Sequence, residues 1–316
     1  MNRMPGITDQ YLLSDDLCHT FCVGQKSYID VIRLFDGILL WANEIHLAKL
    51  SYPSNTDNMK DYLFLNICHF GRCEVELFPG SYVYMSPGIL NMTSSSPKSS
   101  YCYPGGRYSG IEFCFNMCIL KNRMPDALAA YGFDYAMLER YAAKGNTLAA
   151  LTSDGMCEEE KLFHMIRGKK ASLPAIRFAA LSLLYHLTNG SSVRIHDYAR
   201  ISKGQKHIAI EVEKMMTADF QKRCTIEEAA ARFKISPSAL KKYFVAVYGS
   251  PISRYMHERR MEKAAMMLAS TNKSVGTIAL HCGYEHSGKF GTAFKTYAGV
   301  SAMEYRRLRQ KMNMET

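Results

Sequence analysis

The chain has 316 residues, of which 47% are hydrophobic, which is enough for a core in each of two ordinary domains and excludes a largely disordered protein. Its formal charge of +10 is uneven, because residues 207–316 hold 18 Lys and Arg against 10 Asp and Glu, whereas residues 1–206 are nearly balanced. A basic excess in one part of the chain is expected where that part meets a polyanion, although a solvated basic surface gives the same count.

The N-terminal residues lack the charged and then apolar pattern of a secretion signal. No apolar run reaches the roughly 18–20 residues that cross a bilayer, so we expect a cytoplasmic protein with no membrane partner. The ten cysteines lie mostly within apolar runs, as Cys114 and Cys118 do. In a reducing compartment they are most simply small buried hydrophobic residues, the alternative being a redox sensor or metal site.

Strand-like segments separated by Gly and Pro turns run from about residue 60 to residue 116. Segments 62–68 and 82–85 are apolar, segment 73–78 alternates polar and apolar residues, and 108–118 is a further candidate strand. The repetition predicts an antiparallel sandwich or barrel.

Helical spacing of apolar residues follows, in segments 126–143, 158–167 and 173–187. These helices could form a dimer interface or cap the sheet, and the sequence leaves both alternatives open. A polar stretch then separates them from a C-terminal helical part. We predict a first domain at 1–188, a linker at 189–206 and a second domain at 207–316.

Two helix-turn-helix patterns occupy the C-terminal part, about 50 residues apart. In the first, Thr225 and Glu228 form a capping box, and Ser236 with Pro237 restarts the chain as N-cap and first helical residue. On the helix that follows, apolar anchors face inward and three polar residues face outward, namely Ser238, Lys241 and Lys242. Such outward positions meet base edges and phosphates in the major groove of double-stranded DNA, although each lysine alone is also typical of a solvated surface.

The second pattern is anchored by Phe290 and Phe294, and predicts four further DNA contacts: Ser287, Lys289, Thr292 and Lys295. Gly288 and Gly291 interrupt its second helix, each at a cost of roughly 0.5–1 kcal/mol relative to Ala. A predicted helix from Pro251 to about residue 270, roughly 27 Å long, could hold the two reading helices about one DNA turn apart.

Residues 207–316 resemble the AraC/XylS family of bacterial transcription regulators. The resemblance is carried by residues 235–244, 260–264, 274–279, 282–286, 293–295 and 299–306, together with Phe290. It implies an α+β fold: an N-terminal cupin-like antiparallel β-domain with helices, then an all-α domain of two helix-turn-helix units joined by a linker helix. Ala302 stands where the family usually has proline and Thr292 where a basic residue is common, which puts base reading by the second unit in doubt.

The resemblance also implies that the N-terminal domain binds a small-molecule effector or holds a homodimer. The polar residues that could line an effector pocket are His69, Arg72, Glu74, Tyr101, Tyr103 and Arg107, each of which could equally be structural. Residues 66–74 and 80–84 are similar to members grouped with siderophore-responsive regulators, which makes an iron chelate one alternative effector.

A cupin fold also raises the alternative of a metal enzyme, whose site needs two or three histidines and a carboxylate. No two of the ten histidines are two residues apart, so the usual His-x-His pair is missing. Phosphate-loop and nucleophile-elbow motifs are also absent. We therefore expect no enzymatic activity, no cofactor and no metal.

The sequence thus predicts a DNA-binding transcription regulator controlled by an effector, and by its resemblance an activator that recruits RNA polymerase. The alternative is a ligand-binding or protein-interaction module with weakened DNA reading, which Gly288, Gly291 and Thr292 would favour.

Overall fold

The computed structural model describes residues 19–24, 26–51, 61–94, 100–188, 193–195, 198–222 and 224–314. The chain divides into two compact units, Met1–Arg200 and Ile201–Thr316. The first unit combines an antiparallel sheet with helices, and the second is helical apart from the two-residue strand Ile201–Ser202. This confirms the predicted fold class, an N-terminal antiparallel β-domain with helices followed by an all-α domain.

The strands of the first unit, within the described residues, are β1 (His19–Gly24), β2 (Ser27–Phe35), β3 (Ile38–Ile45), β4 (Lys49–Ser51), β5 (Tyr62–Gly71), β6 (Cys73–Phe78), β7 (Ser81–Met85), β8 (Ile89–Thr93), β9 (Ser100–Cys102), β10 (Tyr108–Asn116), β11 (Thr147–Leu151) and β12 (Val193–Ile195). Eight of them form one sheet in the order β1-β2-β3-β10-β5-β8-β11-β12. Strands β4 and β9 form a second antiparallel pair, and β6 and β7 form a hairpin.

The helices of this unit are α1 (Met117–Asn122), α2 (Asp126–Ala129), α3 (Tyr135–Ala143), α4 (Ser153–Arg167) and α5 (Leu173–Thr188). The segment 126–143, which we predicted as one helix, is two. Phe133 N–H bonds back to the Leu128 carbonyl, and Gly132 lies between the helices at φ +81°. Asp134 then caps α3 by accepting from the Met137 N–H. The periodicity of the apolar residues hid this local break.

The large sheet is covered on both faces. Because successive side chains of a strand point to opposite sides, each strand contributes to two cores. On β10, Phe113 and Phe115 join a cluster that includes the buried residues of all five helices. Tyr108 and Cys114, on the other face of the same strand, join an inner cluster with residues of the two smaller strand pairs. The sheet therefore separates a helix-facing core from an inner core.

The second unit contains α6 (Lys203–Ala218), α7 (Ile226–Arg232), α8 (Pro237–Tyr248), α9 (Ile252–Ser270), α10 (Val275–His281), α11 (Ser287–Ala298) and α12 (Ala302–Met314), after the strand β13 (Ile201–Ser202). Helix α6 begins inside the segment 189–206 that we predicted as a linker. A capping box explains this start: the Ser202 hydroxyl accepts from the Gln205 N–H, and the Gln205 side chain accepts from the Ser202 N–H. The domain boundaries stay a prediction.

Two hydrophobic clusters stabilise the second unit, and one helix contributes to both. Ile252 and Met256 in the first half of α9 pack with Phe244 of α8, whereas Met261 and Leu268 in its second half pack with Phe294 of α11. Because α9 buries different sides along its length, it lacks the single apolar stripe expected of a surface helix.

Candidate functional site

Helix α8 is fixed at both ends and along one side. The Ser236 hydroxyl accepts from the Ala239 N–H at 3.2 Å, and Pro237 begins the helix. Leu240 and Phe244 are fully buried, and Gly249 ends the helix in the left-handed region at φ +74°. These contacts leave only one side of α8 available to a ligand.

The exposed side of α8 is a stripe of four residues at helical spacing, Ser238, Lys241, Lys242 and Val245. The structure thus brings together the three residues predicted for this helix. Val245, which is 42% exposed, was not among the predicted residues, because only polar side chains were considered as DNA contacts. Its position seven residues after Ser238 was the signal that could have identified it.

The turn of each helix-turn-helix requires a left-handed residue between its two helices. Lys234 occupies this conformation at φ +54° in the first unit, and Gly283 at φ +78° in the second. A Cβ at Gly283 would lie 2.3 Å from the Phe220 carbonyl oxygen. Gly283 is therefore required both by its backbone angle and by the close approach of the chain before α7.

Helix α11 repeats α8 residue by residue. Both have 12 residues, both end at a left-handed glycine, and Phe290 and Phe294 take the buried positions of Leu240 and Phe244. Counted from these anchors, the stripe of α11 that matches the stripe of α8 consists of Gly288, Gly291, Thr292 and Lys295.

The four residues predicted for α11 are all exposed, but only Thr292 and Lys295 lie on the matching stripe. Ser287 and Lys289 occupy the positions of Pro237 and Ala239, at the N-terminal turn. The Thr292 hydroxyl donates to the Gly288 carbonyl at 3.2 Å. At the positions where α8 has a serine and two lysines, α11 has two glycines and a threonine. The hydroxyl of that threonine is already hydrogen-bonded within the helix.

Phe220 ties the two helix-turn-helix units together. Its side chain belongs to the first cluster and is 5% exposed, while its carbonyl abuts Gly283 of the second unit. The Lys263 ammonium and the Arg260 guanidinium of α9 lie 5.0 and 5.9 Å from the centre of its ring. Together with the shared helix α9, these contacts fix the spacing of α8 and α11.

His69, the first of the predicted effector residues, lies on the helix-facing side of the sheet. Its ring stacks on Phe163 of α4 at 4.0 Å, and Nδ1 is 3.1 Å from the buried Glu159 carboxylate. The hydrogen bond with Glu159 raises the pKa of His69. This is the arrangement of a side chain that joins a strand to a helix.

The other predicted effector residues are placed elsewhere. The Tyr84 hydroxyl donates to Glu74 at 2.7 Å, and the Arg72 guanidinium donates to the Tyr84 carbonyl at 3.3 Å. Tyr103 is buried in the inner cluster, where it stacks on Tyr108 at 5.0 Å, and Arg107 is exposed above the ring of Phe70. A role for them in effector binding stays a prediction.

The part of the chain that the structure describes contains neither a metal-binding cluster nor a membrane-spanning helix. No three His, Cys, Asp or Glu side chains of these residues converge as a metal site. No helix of the described part combines the length and the hydropathy required to span a bilayer.

Comparison with known families and curated proteins matches the C-terminal unit. A family described as "Helix-turn-helix domain" matches residues 229–308. The HTH-type transcriptional regulator ArgR of Pseudomonas aeruginosa is 30% identical over 96 residues, which are 30% of this chain and 29% of that protein. The melibiose operon regulatory protein of Escherichia coli is 24% identical over 132 residues, or 40% and 44% of the two chains. This chain therefore spans less than half the length of these relatives.

A shorter relative and a solved structure match the same unit. The HTH-type transcriptional activator AarP of Providencia stuartii is 28% identical over 102 residues, which are 32% of this chain and 76% of that protein. The C-terminal domain of AraT, a response regulator from Geobacillus stearothermophilus, is 32% identical, with a TM-score of 0.31, and the match covers 34% of this chain and 87% of that domain.

Proposed function

Since this chain belongs, through its C-terminal unit, to the AraC/XylS family of DNA-binding transcription regulators, we propose that α8 and α11 enter successive segments of the major groove at specific sites. Helix α8 supplies most of the base reading in this proposal, through Ser238, Lys241 and Lys242. Helix α11 contacts the DNA phosphate backbone and so positions the protein on the duplex, through Lys295, Lys289, Ser287 and Thr292.

The observation that carries the proposal is the exposed stripe of α8. Two adjacent lysines and a serine lie on the only open side of a helix whose other side is buried, in a unit that holds most of the excess positive charge. Among the described residues, neither Lys241 nor Lys242 has an ion-pair partner. Two ammonium groups in the N-terminal half of such a helix suit guanine edges and phosphates.

The comparisons support regulation of transcription, and the names of two relatives support activation. AarP and the RhaS protein of Mannheimia succiniciproducens are both named transcriptional activators. We therefore include in the proposal contact with RNA polymerase, control by a small molecule bound to the N-terminal unit, and a homodimer. The absence of side chains at Gly288 and Gly291 favours the alternative of weakened DNA reading for α11 alone.

Selection of genome fragments by the purified full-length protein, followed by footprinting, tests the proposal directly. We expect a discrete protected site of about two helical turns per monomer at physiological salt. Recovery of fragments without a common site, all released by moderate salt, would contradict sequence-specific control.

Alanine substitutions on α8 test the residues on the selected site. Lys241→Ala and Lys242→Ala should each weaken DNA binding. If the ammonium contacts a phosphate, each should also reduce the magnitude of the slope of log K against log salt concentration by about 0.9. A loss of base specificity without a change in slope would indicate a guanine contact. Lys214→Ala removes another exposed lysine, which is paired with Glu211 on α6, and should leave binding unchanged.

A further inference from the structure

A cavity of about 170 Å³ lies in the N-terminal unit, between the helix-facing side of the sheet and helices α3 and α5. Its walls come from β5, β8, β10 and β11 and from residues 133–144, so distant parts of the chain meet there. None of the predicted effector residues lines it. The cavity is therefore a feature of the fold that the sequence did not indicate.

The floor of the cavity is apolar. Leu65, Phe115, Leu138 and Leu184 line it, and each is 2% exposed or less. An apolar cavity of about 150 Å³ stays free of water and takes a benzene molecule. The size and chemistry of this floor therefore suit an apolar group of about one six-membered ring.

The walls favour a flat aromatic group. Phe115, Phe133 and Tyr141 supply aromatic faces and edges, and Met92 and Met137 supply thioethers. Aromatic rings pack on one another in offset or edge-to-face arrangements, and methionine sulfur makes favourable contacts with ring edges. Because methionine side chains are flexible, these walls can also close around rings with small substituents.

Charge at the rim selects the polar end of the ligand. Apart from the Tyr141 phenol, the polar lining side chains are Lys144 and Thr147. Lys144 follows α3 directly, and its exposed ammonium lies 5.6 Å from the centre of the Tyr141 ring. Among the described residues no carboxylate lines the cavity, so the rim favours an anion over a cation. A sugar would leave its hydroxyls unpaired against the floor.

From this geometry we propose that the cavity binds a small aryl carboxylic acid. The ring lies against Phe115 and Phe133, and the carboxylate lies at the rim beside Lys144 and Thr147. Binding of the acid does not depend on DNA binding, whereas its effect on DNA rests on the proposed function. A ligand at this place joins α3 and α5 to the sheet, and therefore stabilises the N-terminal unit by mass action.

The test uses the full-length protein with phenylacetate as probe and phenylethanol as its neutral analogue. Calorimetric titration should give tighter binding of the acid, and thermal unfolding should shift upward more with the acid than with the alcohol. Lys144→Gln changes an exposed side chain and should weaken the acid about fivefold while leaving the alcohol unchanged. Lys170→Gln, which removes an exposed lysine outside the cavity, should change neither.

Methionine methyl NMR locates the bound ring. The methyl signals of Met92 and Met137, assigned with Met→Leu variants, should shift on addition of phenylacetate, whereas that of Met85 in the inner cluster should not. Absence of binding by either probe, equal binding of acid and alcohol, or shifts at Met85 alone would each overturn the proposal. Acid binding at Met92 and Met137 that leaves DNA binding unchanged would overturn only the regulatory consequence.

Discussion

Single buried residues of the inner cluster control how the first unit responds to pH. Glu112 lies on β10 between Trp41 and Asn66 in register, with its side chain on the inner face of the sheet. Burial raises the pKa of Glu112 from 4.5 to about 7. An acid whose pKa is raised on folding holds its proton in the native state after the unfolded state has lost it.

Stability of the first unit should therefore fall as pH rises from about 5 to 7, because the unfolded state releases the Glu112 proton first. Glu112→Gln should reduce this slope, leaving the smaller part that comes from the raised pKa of His69, and should raise the free energy of unfolding at pH 8 by roughly 2–3 kcal/mol. Denaturant titrations read by Trp41 fluorescence at several pH values measure the effect. The exposed Glu139→Gln serves as the control, and an equal slope in wild type and Glu112→Gln would refute the assignment.

At the residue scale, the sequence predicted local signals better than spatial groups. The capping box of Thr225 and Glu228 is present, with the Glu228 N–H 3.1 Å from the Thr225 hydroxyl, because both partners lie within one turn of helix. His69 and Glu159 are 90 positions apart, and no local pattern predicts that they meet. For the same reason, no local pattern shows which of the predicted effector residues share a site.

At the scale of elements, α8 and α11 have the same backbone conformation and different exposed side chains. Gly288 and Gly291 of α11 have ordinary helical φ, and a Cβ at either would meet no atom within 4 Å. Helix α11 therefore tolerates glycine without needing it. This differs from Gly283, where the Phe220 carbonyl leaves no room for a Cβ.

Gly288→Ala and Gly291→Ala should each stabilise the second unit by about 0.5–1 kcal/mol, because alanine loses less backbone entropy in a helix. Urea unfolding followed by far-UV circular dichroism measures this effect. Gly283→Ala, the matched substitution at a site without space, should destabilise instead. A loss of DNA affinity in the α11 variants, despite higher stability, would show that the α11 backbone approaches DNA closely at these positions.

Sequence periodicity predicted β5, β6, β7 and β10 and the longer helices. It did not predict the four strands before residue 60, nor β8, β9, β11 and β12 after it. Residues of β3 from Ile38 to Ala42 are all buried, since the strand lies in the middle of a sheet covered on both faces. Such a strand shows no alternation of polar and apolar residues, so its pattern does not distinguish it from a buried helix. The tandem helix-turn-helix pattern was confirmed because caps and anchors are local in sequence.

At the scale of the whole molecule, we place the interface of the proposed homodimer at an exposed apolar stripe on α5. Phe178 is 71% exposed and Tyr185, seven residues later on the same side, is 43% exposed. Tyr131 extends the patch, with its ring 6.0 Å from that of Tyr185 in an edge-to-face arrangement. Large exposed aromatic residues at helical spacing are typical of helix-mediated interfaces.

Phe178→Asp should weaken the proposed homodimer by at least about tenfold, because it places a charge at the centre of the patch. Sedimentation velocity over a range of concentrations measures the change. Met303→Asp, at a residue that is 64% exposed in the other unit, is the control for a simple gain of charge. A wild-type protein that stays monomeric at every concentration tested would refute the dimer.

The helix shared by the two hydrophobic clusters has a consequence for the evolution of target sites. Since α9 and Phe220 hold α8 and α11 at a fixed separation, the two proposed DNA-binding helices require a fixed spacing between their two DNA segments. One base pair inserted between the two segments turns the segment bound by α11 about 35° around the duplex axis, and so moves it away from that helix. In promoters under such a regulator, bases within one segment can change gradually, each with a partial loss of binding. A change in the spacing between the segments abolishes simultaneous binding by both helices in one step.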